Sequence, residues 1–127
     1  KLSHYKNVCS EVKCSLETLI KNALDKRISK KNIIVDPGIG FSKDINQNLE
    51  ILRNLDVFKE LNLPILIGAS RKRFIGEILN EENPKERDIG TLAISCLCSH
   101  FNIDIVRVHN VRMNSQILKV ADKIYRK

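Results

Sequence analysis

The sequence predicts an α/β fold on a parallel sheet, and more specifically the final repeats of a (β/α)₈ TIM barrel. Three observations carry this. Short β-branched or apolar runs at 32–35, 64–67 and 103–108 alternate with helical periodicities, and strands separated by helices imply right-handed βαβ crossovers with parallel pairing. The chain opens on a helical pattern with no strand before it, which fits poorly with the alternative, a small flavodoxin-like sheet. Finally, 127 residues fall well short of the ~250 of a whole barrel, while three parallel strands alone would leave an apolar edge exposed.

Each element has its own warrant. Val8, Val12, Leu16, Leu19, Ile20 and Ala23 recur at intervals of three and four, so residues 7–28 should form an amphipathic helix. Residues 32–35 read as a buried strand. From Ile45 a second helix carries Leu49, Ile51, Leu52, Leu55 and Phe58 in one broad stripe. Residues 64–67 are another buried strand, closed by Gly68, and 71–80 a short helix. "EENPKERD" is a polar connector, 88–100 an apolar helix, "IDIVRV" at 103–108 the third strand and 113–126 the last helix. With 43% apolar residues the chain reads as part of one domain with a core.

Composition narrows the function classes. A net charge of +7 and a pI near 9.4 raise the question of nucleic acid, but the basic residues are scattered and aromatics are only 5%. No base-stacking platform accompanies the charge, so it reads as a surface favouring small anions. No apolar run approaches a membrane span, and the opening residues resemble a chain already under way, not a signal peptide. Cys9, Cys14, Cys96 and Cys98 lack CxxC spacing; small buried apolar residues are their expected role. His4 and His100 read as surface or core-edge residues.

The chemistry concentrates where strands end. Asp36 with Pro37, Gly38 and Gly40 follows the first run; Gly68, Ser70, Arg71 and Lys72 follow the second; Arg107 and His109 close the third. In parallel α/β folds ligands bind at the carboxyl ends of strands, so the three clusters should share one mouth. A strand-end carboxylate can accept two parallel N–H bonds from an amidine-like edge, such as a guanidine or aminopyrimidinone. Arg107 and Lys72 offer charge to oxygens or phosphate, and arginine also stacks on flat rings. "GASRKRF" runs from a glycine turn into a helix N-terminus, a seat for anions. Taken singly, Asp36 could be a turn residue or N-cap, Arg71 to Arg73 a solvated face, and His109 structural. Their convergence favours a site.

"DPGIGFSK", "LPILIGASRK" and "VRVHN", in this order, resemble the dihydropteroate synthases of the pterin-binding barrel family, and "YKNVCSEV" resembles that family's entry to the fifth helix. The resemblance implies that residues 1–127 are the C-terminal part, about strands 6–8, of a single barrel domain. It further implies condensation of 4-aminobenzoate with 6-hydroxymethyl-7,8-dihydropterin diphosphate in folate biosynthesis, with Mg2+ held by a residue upstream of this segment. Asp36 would then bind the pterin N3 and 2-amino edge, and Lys72 the ring oxygen and nitrogen. Arg107 would stack on the pterin and share the phosphates with His109. Phe41, Lys43 and Ser70 would lie toward the aminobenzoate, with Gly40, Gly68 and Arg71 completing the substrate contacts, Arg71 chiefly as a loop anchor. Three residues depart from the family pattern: Ser42 stands for a usual glycine, Arg73 for a common serine and Asn110 for a usual aspartate.

The resemblance also implies a sulfonamide target. As an intact enzyme it would be a homodimer with small-molecule substrates, without nucleic-acid or membrane partners. It would be cytoplasmic in a bacterium and organellar or cytosolic in a eukaryote. Two other readings compete: a corrinoid-linked methyltransferase that binds a folate pterin, against which the SRK element speaks, and a non-catalytic half-barrel. Residues 1–127 by themselves are expected to be inactive, because about half a barrel is missing.

Overall fold

A computed structural model describes residues 7–126, and its helices stop where local side chains stop them. Helix α1, Val8–Asp25, starts at Asn7, whose side chain accepts from the Ser10 N–H at 3.1 Å. It ends before residue 28 because Arg27 turns left-handed (φ 66°), letting the Ile28 N–H close onto the Ala23 carbonyl. A capping box between Asp44 and Gln47 opens α2, Ile45–Arg53. The broad stripe from Ile45 to Phe58 is two helices, not one. Asn54 turns its side-chain amide onto the Glu50 carbonyl at 2.8 Å, and a separate turn, α3 (Asp56–Lys59), begins after it.

The remaining helices are α4 (Arg73–Leu79), α5 (Asp88–His100) and α6 (Val111–Tyr125). The polar connector contains a 3₁₀ turn at Pro84–Arg87, led by the Asn83 side chain. Asn62, Asn80 and Asn102 follow α3, α4 and α5 in the left-handed region, with φ of 55°, 54° and 56°. Asparagine tolerates that conformation better than most side chains, so these helices end within a residue or two of the periodicity. The Asn110 side chain caps α6 by accepting from Met113 N–H at 3.1 Å.

The strands are shorter than the sequence suggests. Strand β1 is Leu66–Ile67 and β2 is Ile105–Val106, paired in parallel with Leu66 opposite Ile105 and Ile67 opposite Val106. The run at 32–35 is not a regular strand. Lys30–Asn32 forms a 3₁₀ turn, and Val35 alone makes a parallel bridge to Ile65. The ladder still runs on through Leu66 N–H to Val35 O at 2.8 Å and Arg107 N–H to Ile67 O at 3.0 Å. Three segments therefore lie side by side in chain order, all pointing one way.

Alternation sets the two faces. Val35, Ile65 and Ile67 are buried against a core that includes Ile51, Leu55 and Phe58. The opposite face is also apolar but open: Ile34 is 53% exposed and Ile105 36%. Parallel sheets are normally covered on both faces. Of the cysteines, Cys9 and Cys98 are buried as expected, whereas Cys14 is exposed and Cys96 intermediate; burial pushes the Cys98 thiol up to about 12. His100 meets Phe101 and Tyr125 edge-on, and His4 lies outside the described residues. Among the described residues no helix is long and apolar enough to cross a membrane.

Candidate active site

The loop after Val35 is built around its own carboxylate and ammonium. Asp36 Oδ1 accepts the Gly38 N–H at 2.8 Å, and Gly38 and Gly40 take φ of 75° and 87°, which a side chain would strain. Gly40 in turn donates to Asn48 Oδ1 at 2.8 Å. The Lys43 ammonium donates to the Gly38 and Phe41 carbonyls at 2.8 and 3.0 Å. Burial pushes its pKa down, with the Asp36 charge opposing. Lys43 thus closes its loop from inside while bordering the cavity beside α4. Ser42 sits at φ 54°, a conformation that favours glycine. Phe41 stays 59% exposed, with the Lys72 ammonium 4.3 Å from its ring centre.

At the end of β1 the chain turns sharply, and Arg71 adopts φ 59°. Such a strained residue persists only where its surroundings fix it. Here Arg71 N–H donates to Thr91 Oγ1 at 3.1 Å, its carbonyl accepts from Arg87 at 3.0 Å, and its guanidinium grips Asp88 through Nε at 2.8 Å and Nη2 at 3.2 Å. The guanidinium is committed to Asp88 and anchors the loop; Lys72, next along, is released toward the strand ends. Asp88 also accepts from Asn110 Nδ2 at 3.4 Å, tying this turn to the loop after β2.

The Arg71 guanidinium holds the Asp88 carboxyl below its usual value; burial opposes, and Asn110 adds to the lowering. A depressed carboxyl adds stability that is full above the unfolded-state pKa of about 3.9 and is lost as pH falls through the folded value. Asp88→Asn should therefore lower stability at neutral pH and flatten its decline below about pH 4. Urea melts across that range test this, and parallel declines for variant and parent would contradict it.

Beyond β2, Arg107 reaches back over Gly68. A Cβ on Gly68 would overlap the guanidinium, so the glycine lets Arg107 lie close over the backbone. Arg107 Nη2 lies 3.6 Å from Asp36 Oδ2, a partly exposed pair that contributes little to stability. His109 Nδ1 lies 2.7 Å from Ser70 Oγ, and the same oxygen accepts the His109 main-chain N–H at 3.1 Å. Ser70 is therefore engaged with His109 through both its ring and its main chain.

Two cavities meet at Lys72. One, of about 260 Å³, is lined by Gly68, Ser70, Lys72, Arg107, Val108 and His109. The other, of about 620 Å³, lies between the Asp36 loop and α4 and includes Gly40, Asn48, Lys72 and Arg73. Among the described residues no group of three or more His, Cys, Asp or Glu side chains could hold a metal ion. The carboxylate at the strand ends, Asp36, is engaged by Gly38 and Arg107. These residues do not fit magnesium.

Sequence reasoning missed Asn48, Thr91 and Asp88. Asn48 had a signal: it interrupts the apolar stripe of α2 between Ile45 and Leu49 and is only 2% exposed. A polar residue on a buried helix face needs a partner, and the loop before the helix supplied one. Thr91 and Asp88 had no such mark, because their partner lies across two turns.

The chain has relatives among known proteins. Residues 1–109 match the model of the pterin-binding enzymes. The chain belongs to that family. Among its relatives, the dihydropteroate synthase of Synechocystis sp. is 42% identical over 125 residues, 98% of this chain and 43% of that protein. The dihydropteroate synthase of Clostridium beijerinckii is 43% identical over 126 residues, 98% and 46% of the two chains. The crystal structure of the Clostridium difficile dihydropteroate synthase, determined in the presence of pteroic acid, superposes with a TM-score of 0.94 at 41% identity, over 99% of this chain and 48% of that one. The Thermus thermophilus enzyme in complex with 6HMPPP gives 0.91 at 36% identity, over 97% and 48%. The chain thus spans a little under half the length of these pterin-binding relatives.

Proposed function

We propose that this chain is the C-terminal part, about strands 6–8, of a (β/α)₈ dihydropteroate synthase. The observation that carries the proposal is the meeting of Asp36, Lys72, Arg107 and His109 at the ends of three parallel strand segments, around cavities that share Lys72. The order of those segments fits the barrel, in which each strand lies beside the one before it. The open apolar face of Ile34 and Ile105 is the face that further strands of a closed barrel would cover.

In this reading Asp36 receives the pterin N3–H and 2-amino group. Its Oδ1 keeps one acceptor direction for Gly38, and Oδ2 faces the mouth. Lys72 donates to the ring carbonyl and the neighbouring nitrogen. Arg107 and His109 hold the diphosphate in the smaller, cationic cavity. As the carbon–oxygen bond to diphosphate breaks, positive charge spreads from the methylene into the ring, where the Asp36 carboxylate stabilises it. The aminobenzoate nitrogen then forms the new bond to that carbon and loses a proton to solvent. Its carboxylate is assigned to the larger cavity, beside Arg73 and the start of α4. Magnesium, where used, would be held by residues outside this segment.

The direct test supplies the intact protein with both substrates and follows diphosphate and dihydropteroate together. Formation of both only when both substrates are present is expected. Pterin binding without condensation would overturn the proposal. A second expectation concerns Gly68→Ala. The added methyl meets the mobile end of Arg107, so the guanidinium moves and the fold holds. Affinity for inorganic diphosphate should fall roughly tenfold, the worth of a charge-assisted hydrogen bond, with Tm nearly unchanged. Calorimetric titration and thermal melts check the two halves.

A further inference from the structure

Ser70 is only 9% exposed, and its hydroxyl oxygen serves one residue twice: the His109 main-chain N–H at 3.1 Å and the His109 ring Nδ1 at 2.7 Å. We propose that Ser70 is a positioning residue that holds neutral His109 in its Nε2–H tautomer, so that the ring offers a donor to anionic oxygens beside Arg107 and Lys72. The geometry stands on the structure; its consequence rests on the diphosphate site proposed above.

A hydroxyl has one hydrogen to give and two lone pairs to receive with. The main-chain N–H can only donate, so it takes one lone pair. Were Nδ1 also protonated, Oγ would accept twice, and its own hydrogen would need a third partner. Among the described residues Ser70 Oγ has no other hydrogen-bond partner. The consistent arrangement sends the serine hydrogen to Nδ1, which leaves the neutral ring's proton on Nε2.

Nε2 lies across the ring from Ser70, and His109 is exposed and lines the smaller cavity. That cavity already presents an ammonium and a guanidinium. A donor nitrogen extends the same pattern toward oxygen anions, whereas the other tautomer would face them with a lone pair. Removing the serine hydroxyl would release the ring to rotate and to exchange tautomers.

The test uses the intact protein with ¹⁵N-labelled histidine, at a pH where His109 is neutral, read by two-bond proton–nitrogen NMR. The parent should show a protonated Nε2 and an accepting Nδ1. Ser70→Ala should move both nitrogens toward the average of exchanging tautomers, while Ser70→Thr, which keeps the hydroxyl, should hold the parent pattern. With Ser70→Ala, affinity for inorganic diphosphate should fall roughly three- to tenfold, and KM for the pterin diphosphate should rise more than kcat falls.

A parent spectrum with the proton on Nδ1 overturns the proposal and needs no variant to be read. So does an unchanged ring in folded Ser70→Ala. If the tautomer shifts while diphosphate affinity holds, the ring does not serve the anion and the positioning role fails. A serine-dependent tautomer in an intact protein that lacks synthase turnover would sink the functional reading and leave the tautomer assignment standing.

Discussion

Asp36→Asn in the intact enzyme is expected to lower kcat/KM by roughly 30- to 1000-fold, about 2–4 kcal/mol of transition-state stabilisation, without unfolding the loop. The separation of the two effects comes from the carboxylate's two oxygens. Oδ1 receives the Gly38 N–H at 2.8 Å, and an asparagine oxygen can do the same. Oδ2 faces Arg107 at 3.6 Å and the strand ends, where asparagine would put an N–H toward the pterin's own donors. Asp36→Ala should lose the turn as well and so lower Tm, which the asparagine variant should not. Steady-state kinetics with thermal melts of both variants decide it. A near-normal rate for Asp36→Asn would reduce Asp36 to a turn residue.

Lys72→Ala is expected to weaken binding of a pterin diphosphate analogue by roughly 10- to 150-fold, about 1.5–3 kcal/mol, the worth of hydrogen bonds to a charged donor. Its neighbour should behave oppositely. The Arg71 guanidinium is bound to Asp88 at 2.8 and 3.2 Å, and the residue holds a left-handed turn. Arg71→Ala should therefore lower Tm first and affinity only as the loop slackens. Calorimetric titration of both variants is the measurement. Abolished binding in Arg71→Ala with intact binding in folded Lys72→Ala would reverse the assignment of this turn.

The helices were legible because their signals are local. Asn7, the Asp44–Gln47 capping box and the asparagines that close α3, α4 and α5 lie within a turn of the boundaries they set. The strands were legible as places but not as lengths, since a strand's extent depends on partners far away in sequence. Val35 makes a single bridge, Asn32 closes a 3₁₀ turn, and Ile33 is extended without joining the ladder. The strand-end residues were readable as a group from their position after apolar runs. What each does there was less so. The inward turn of Lys43, the hold of Ser70 on His109 and the Asp88 clamp on Arg71 all depend on packing that no spacing reports.

The parallel ladder has a kinetic corollary. Val35 meets Ile65 and Leu66 meets Ile105, so each pairing joins positions roughly thirty to forty residues apart. The chain must lose the entropy of closing each crossover before any strand contact repays it. Locally encoded helices shorten those crossovers in advance: α2 and α3 draw Val35 toward Ile65, and α4 and α5 draw β1 toward β2. A lesion in a helix cap far from the mouth would thus slow assembly of the sheet while leaving the finished mouth unaltered. Refolding rate, more than activity, is where changes at Asn83 would be felt.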